Sequence, residues 1–384
     1  MRILTLLLHD ERFSGWTVKD KLTRQHFSVQ YLHFCKQKSW NSLLYTFHQK
    51  IKACQIYRLH DAGTIKIFPV KFRFPPFHRF GNDHNPKDIM QAMVHDQPDL
   101  VHFHNYCLFS FPYTAFLVKN KLKRPLIAQL HGYNNRSLRR VLYVPCLLAL
   151  RKADCILYSY EPEEALYRKL GVMERAVKVP VPGVDPQVFT RYRRCDSRRL
   201  LYVGRIPRPE TAYGEKSPFL LLHLLRNLLR QTKDVVLDVI GDGPGLHYCR
   251  CLAQKLGLTG HLAFHGYIPY SDLPKYYQVS ALTFSPIQVY DIDGWFDGAI
   301  QESLACGTPV AAFKASEDRP LHGTYGFLLS NNMEKAASEV KALLKTQEDM
   351  DQIAQDGSRF VHENCTCARV AAQLQETWES ALRA

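Results

Sequence analysis

Two cations bracket a loop rich in Pro and Gly. Arg205 follows the apolar run RLLYVG, whose last residue is Gly204, and Lys216 precedes SPFLLLHLLRNLLR, which has helical spacing. Backbone N–H groups and the dipole at a helix start favour an anion. An Arg fork matches phosphate geometry and a Lys adds a point charge, so the pair suits a diphosphate. Solvated loop cations are the other reading. VVLDVI runs into GDGPG (241–245), where Gly241 and Gly243 permit close approach of a ligand or a tight turn. The spacing is not the dinucleotide fingerprint, and HLAFHG (261–266), where that fingerprint would place an acid, holds none; both argue against NAD. The segment YDIDGWFDGAIQESLACGTPVAAF (290–313) places Asp291, Asp293, Asp297 and Glu302 in a loop and at a helix start. A carboxylate there can bind vicinal hydroxyls of a ribose or sugar. Asp291 and Asp293 also form D-x-D, which can hold a divalent metal but is a frequent chance match. Loop capping is the alternative for each Asp. His131 sits between PLIAQL and Gly132, at a strand end from which it can donate to a substrate. His102 and His104 alternate with Phe103 and face one side, as packed, hydrogen-bonded strand residues do.

These residues need a scaffold that gathers strand ends. Apolar runs at 3–8, 28–34, 64–70, 99–104, 125–131, 155–159 and 176–181 read as strands, and so do those at 199–204, 235–241, 261–266, 281–285 and 308–313. Helical patterns at 85–95, 109–120, 217–231, 245–256, 271–278 and 298–305 separate them. Near-continuous apolar strands alternating with helices predict parallel sheets covered on both faces. The alternation pauses at 181–199, a Pro- and Arg-rich linker, which predicts two doubly wound α/β domains, 1–186 and 187–365. The stretch 366–384 predicts one amphipathic helix. Ligands of such sheets bind beyond the C-terminal strand ends.

The charge balance is lopsided. The 384 residues carry 50 Lys/Arg against 36 Asp/Glu, a surplus of +14. Residues 1–190 hold 28 basic and 14 acidic residues, while 191–384 hold 22 of each, so the first half carries the whole surplus. Between Asp99 and Asp154 there is no acid. Such a surplus suits a polyanion, but the basic stretch has no nucleic-acid-binding motif. RSLRRVLYVPCLLALRK (136–152) combines basic flanks with an apolar middle, which suits a membrane surface as well as a buried crossover helix; Pro145 kinks it or marks its start. MRILTLLLHDERF is too short for a signal peptide and reads as a buried strand, and no run reaches about 18 apolar residues. Eleven Cys without framework spacing read as reduced thiols of a cytosolic protein.

Several segments, in order, resemble the retaining glycosyltransferases of the GT-B architecture, family 4 (group 1). VPVPGVDPQVF is similar to that family's domain-junction motif, with Pro182 in place of Asn. LLYVGR…EK resembles its phosphate clamp, and LDVIGDGP and ESLACGTPVAA match it closely. HLAFHGYIPYSDLPKYYQVSALTFSP, PDLVHFHN, LHG, ADCILYSY and ENCTCARVAAQLQETW resemble further segments. The family's other acid lies eight positions before the Glu matched by Glu302; here that position is Gly294, with Asp293 one residue earlier. Gly15 is the only glycine in the first 60 residues, where the family has a glycine-rich loop.

The resemblance implies two Rossmann-like domains facing an interdomain cleft, with the C-terminal helix crossing back to the first. It implies a metal-independent, retaining hexosyltransferase needing no cofactor beyond its nucleotide-sugar donor. Arg205 and Lys216 would hold the diphosphate beside Gly204, Gly241 and Gly243. Gly266, Tyr267 and Ile268 would lie near the base, Glu302 would bind the ribose, His131 would sit beside the transferred sugar, and Asp293 would stand in for the missing acid. The acceptor would be lipid-linked or a growing saccharide, met on the basic first domain at the cytoplasmic membrane face, with an anionic membrane surface and no nucleic acid as partner. A degenerate nucleotide-sugar-binding protein and a sugar-nucleotide epimerase of the same architecture are the alternatives.

Overall fold

A computed structural model describes residues 1–7, 18, 22, 32, 35, 38–48, 50–59, 63–69, 86–104, 110–129, 144–159, 162–180, 183–191, 198–209, 218–289 and 297–383. The chain divides into two compact units, Met1–Val179 with Ala371–Ala384, and Pro180–Val370.

The first unit is built on an eight-stranded sheet. Its strands are β1 (Arg2–Leu7), β2 (Asn41–His48), β3 (Gln55–Leu59), β4 (Gly63–Pro69), β5 (Leu100–His104), β6 (Leu126–Gln129), β7 (Cys155–Tyr158) and β8 (Ala176–Lys178), in the spatial order β3-β4-β2-β1-β5-β6-β7-β8. Only β3 runs antiparallel, against β4. The described helices here are α1 (Pro86–Asp96), α2 (Ser110–Phe116, extended by a π-helical stretch Leu117–Leu122), α3 (Val144–Leu150) and α4 (Pro162–Leu170). β1 and β5 are buried along almost their whole length, as central parallel strands covered on both faces must be.

Of the strand expected over 28–34 the structure describes Leu32 alone, which is helical, and β1 pairs with β2 on one side and β5 on the other. SVQYLHF has the residue types of a strand, but NSLLYTFH is the run with a paired neighbour on each side, β1 and β4. Local pattern does not say which apolar run finds two edges to bond. Of the stretch 136–152 the structure describes Val144 onward, with Pro145 inside α3.

The second unit carries β9 (Arg199–Val203), β10 (Val236–Ile240), β11 (Leu262–Gly266), β12 (Leu282–Val289), β13 (Val310–Lys314) and β14 (Gly326–Leu329), all parallel, in the order β11-β10-β9-β12-β13-β14. Its described helices are α5 (Phe219–Leu229), α6 (Leu246–Lys255), α7 (Pro274–Val279), α8 (Gly298–Ala305), α9 (Met333–Leu343) and α10 (Gln347–Asn364). In α5, Leu221, Leu222, Leu224, Leu225 and Leu228 form the buried stripe at helical spacing. Asn332 starts α9 by accepting from the backbone N–H of Glu334 and Lys335. Strand order reverses direction between β9 and β12, the switch point at which a doubly wound sheet opens a ligand crevice.

The last helix, α11 (Cys367–Arg383), begins in the second unit and returns to the first from Ala371. There Trp378 is fully buried against Trp40, with ring centroids 6.2 Å apart, and stands edge-on to His102. Among the described residues no helix is long and apolar enough to cross a membrane.

Candidate functional site

At the C-terminal edge of the second sheet, backbone hydrogen bonds tie three strand ends together. Gly204 N–H donates to Ile240, Ile206 N–H to Asp242, and Gly241 N–H to Gly266. The Tyr202 hydroxyl donates to the Arg205 carbonyl at 2.6 Å, fixing the turn that carries the half-buried guanidinium side chain. Gly204, Arg205, Gly241, Gly243 and Gly266 are therefore one assembly, with Tyr267 and Ile268 leaving it. Tyr267 is half exposed, and Ile268 packs on the core.

The run 241–245 has a backbone reason for its glycines. A Cβ on Gly241 (φ +131°) would stand 1.8 Å from the Gly204 carbonyl oxygen, and one on Gly243 (φ +151°) 2.3 Å from that of Ile206. The turn after β9 lies directly against the turn after β10, and only glycine lets them approach this closely.

Glu302 lies on α8, which follows β12 across the switch point. Asp297 caps this helix by accepting from Ile300 N–H at 3.1 Å, so its carboxylate has the capping role. Tyr277, on α7, donates its hydroxyl to Glu302 Oε2 at 2.8 Å. The ring is fully buried, edge-on to Phe189. Burial and the Glu302 charge push the Tyr277 phenol well above its ordinary range, so it is a permanent donor. Gln301, also fully buried, accepts from Gly183 N–H at 3.0 Å and donates to the Pro180 carbonyl at 3.1 Å, which clamps α8 to the junction segment. Ser303 adds a hydrogen bond to Thr283 of β12.

Tyr277 and Gln301 escaped the sequence reading. Their partners lie 25 and 118 residues away, and neither residue type at that spacing signals a pairing. A third arrangement was equally hidden. Asp238, buried in β10, takes Arg199 through two hydrogen bonds and His265 Nε2 at 2.7 Å, so the residue before Gly266 is anchored by a buried carboxylate.

His131, Lys216 and Asp293, like Asp291 of the D-x-D pair, lie outside the described residues. Among the described residues no group of three or more His, Cys, Asp or Glu could hold a metal ion. His102 and His104 are fully buried with rings stacked at 4.2 Å, and burial holds His102 down to about 3, so it is neutral.

The family model described as "Glycosyl transferases group 1" matches residues 193–360, and "Glycosyltransferase Family 4" matches residues 44–188. A GDP-mannose-dependent alpha-(1-6)-phosphatidylinositol monomannoside mannosyltransferase of Mycolicibacterium smegmatis is 28% identical over 141 residues, 34% of this chain and 36% of that protein. The chain spans between about a third and three fifths of the length of the curated relatives it matches first. Among solved structures, a sucrose-phosphate synthase from Thermosynechococcus elongatus superposes with a TM-score of 0.74 at 15% identity, covering 99% of each chain. Anabaena HepE in complex with UDP-glucose gives 0.68 at 17% identity, covering 99% of this chain and 100% of that one. Two parallel-sheet α/β units in this order, with both family models matched in register, leave one conclusion: the chain belongs to the group 1 glycosyltransferases, of the family 4-like GT-B type.

Proposed function

We propose that the chain is a retaining glycosyltransferase that moves a hexosyl group from a nucleotide-sugar donor to a lipid-linked or saccharide acceptor at the cytoplasmic membrane face. The observation that carries this reading is the braced carboxylate of Glu302 on α8, across the switch point from the tied turns after β9, β10 and β11. A carboxylate held by a permanently protonated phenol keeps one orientation, which accepting from ribose hydroxyls requires. In this reading Arg205 and Lys216 take the diphosphate beside Gly204, Gly241 and Gly243, ahead of the α5 N-terminus. Gly266, Tyr267 and Ile268 border the base, His131 faces the transferred sugar and Asp293 takes a sugar hydroxyl. The nucleotide diphosphate is the leaving group. Negative charge grows on it as the glycosidic bond breaks, and fixed cations aimed at that charge lower the barrier. No metal is needed for this, since two cations and a helix N-terminus supply the positive field. Support for the donor class comes from the relatives: one is named as GDP-mannose-dependent, and HepE is seen with UDP-glucose. The named acceptor of the first, a phosphatidylinositol monomannoside, agrees with a lipid-borne acceptor here.

The test is a thermal-shift panel of UDP-, GDP- and ADP-sugars. A ligand at a hundred times its Kd adds about 2.7 kcal/mol of stability, a shift of about 5–10 °C for a unit this size. The stabilising donor is then incubated with a lipid extract and with oligosaccharides, and the anomeric configuration of the product is read by NMR. No shift with any donor, or a shift without transfer to either acceptor, refutes the proposal.

A further inference from the structure

Helices α2 and α3 are consecutive crossovers, joining β5 to β6 and β6 to β7, so right-handed connections put both on the same face of the first sheet. They pack side by side. Phe111, Thr114 and Ala115 of α2 and Cys146, Ala149 and Leu150 of α3 point inward and are buried. The outward stripes of such a layer face water and are ordinarily polar. Here they are not. Tyr113 and Phe116, one turn apart on α2, are 38% and 51% exposed, and Val144 and Leu148, one turn apart on α3, are 46% and 54% exposed. At the C-terminal ends of the same two helices stand four exposed cations: Lys121 and Lys123 after α2, Arg151 and Lys152 after α3. Lys119 is taken by Asp154, at 2.7 Å, and does not count among them. No acidic residue lies between Asp99 and Asp154 to offset them.

We propose that this outer face of α2 and α3 docks on an anionic phospholipid bilayer. The four apolar side chains enter the headgroup–acyl boundary, and the four cations lie against the lipid phosphates. A bilayer interface takes exposed apolar side chains into its acyl boundary and cations onto its phosphates at once, whereas an acidic polypeptide matches only the cations. An apolar stripe with adjoining Lys and Arg is the composition that binds in the interface plane. The proposal deepens the reading of a membrane-borne acceptor and rests on it for its purpose, but no residue of the surface is assigned to the donor.

The test uses the full chain and flotation with phosphatidylglycerol–phosphatidylcholine vesicles, pure phosphatidylcholine vesicles, and soluble polyglutamate. Binding is expected to the anionic vesicles at low salt, to weaken at high salt and to vanish on pure phosphatidylcholine. The double variant Phe116→Ser/Leu148→Ser is expected to lower the partition coefficient at least tenfold. Lys121→Ala and Lys123→Ala should each lower it about fivefold, the share of one cation near an anionic surface. Melting profiles of the variants should match the parent, because all four positions are exposed or half-exposed. Nucleotide-induced thermal shifts should also be unchanged, so a chain that binds vesicles but no nucleotide overturns the donor reading and leaves this one standing. Absence of vesicle binding at low salt, or binding indifferent to these substitutions, overturns the proposal. So does capture of polyglutamate with the same variant sensitivity and no vesicle binding, which would mark an acidic polypeptide as the partner.

Discussion

The hydrogen bond from Tyr277 to Glu302 can be weighed by removing either end. Tyr277→Phe deletes one oxygen and keeps the ring in its buried place against Phe189. Glu302 Oε2 then loses its 2.8 Å donor. A hydrogen bond to a charged acceptor contributes about 1.5–3 kcal/mol, and that is the expected loss of unfolding free energy. Glu302→Ala leaves the buried phenol without its carboxylate, at a cost of about 1–3 kcal/mol. Because each substitution removes the same bond, the double variant should cost little more than the worse single one, a coupling of about 1.5 kcal/mol or more. Urea unfolding followed by far-UV circular dichroism measures all four corners of the cycle. Calorimetric binding of the stabilising nucleotide gives the functional half. If the phenol orients the carboxylate for ribose, Tyr277→Phe should weaken binding about tenfold, or 1.4 kcal/mol, and Glu302→Ala by more. Losses that add to within about 0.5 kcal/mol would refute the coupling. Unchanged nucleotide affinity in Tyr277→Phe, with affinity lost in Glu302→Ala, would show that the bond stabilises the fold without positioning the site.

Arg205→Ala should lower kcat more than it weakens donor binding, since its charge meets a charge that grows in the transition state; equal losses in steady-state kinetics would mean ground-state anchoring instead. Burial holds His102 neutral down to about pH 3 in the folded chain, whereas the unfolded chain takes up the proton near 6.5, so stability is complete above 6.5 and falls as pH drops through the window between these values. At pH 5 its share of the loss is about 2 kcal/mol, and a urea series in which His102→Gln leaves the slope between pH 7 and 5 unaltered would contradict the assignment. Gly241→Ala forces a Cβ to 1.8 Å from a carbonyl oxygen at a positive φ, so the turn after β9 must shift, at about 3 kcal/mol or more; a variant that melts with the parent and binds nucleotide equally would show that the turns have room.

Much of this protein was legible in its sequence. Period and length of the apolar runs placed β5 to β7 and β9 to β13, because a strand buried on both faces between helices has to be a short, continuous apolar run. The glycine run 241–245 and the segment from Asp297 to Gly307 marked the strand ends, and the family resemblance rested on them. The confinement of the surplus charge to the first 190 residues needs no coordinates. Pairing is what a linear pattern does not carry. The run 41–48 is not among the strands read from the sequence, yet it meets β1 on one side and β4 on the other. Tyr277 finds Glu302, Gln301 finds Gly183 and Trp378 finds His102 across long stretches of chain, each because packing closes a distance that no local rule encodes. The same holds for the glycines, required by two turns lying on one another, and for the stripes of Tyr113, Phe116, Val144 and Leu148. Periodicity shows that α2 and α3 have an apolar side, but only the sheet beneath decides which apolar residues it covers and which it leaves facing out.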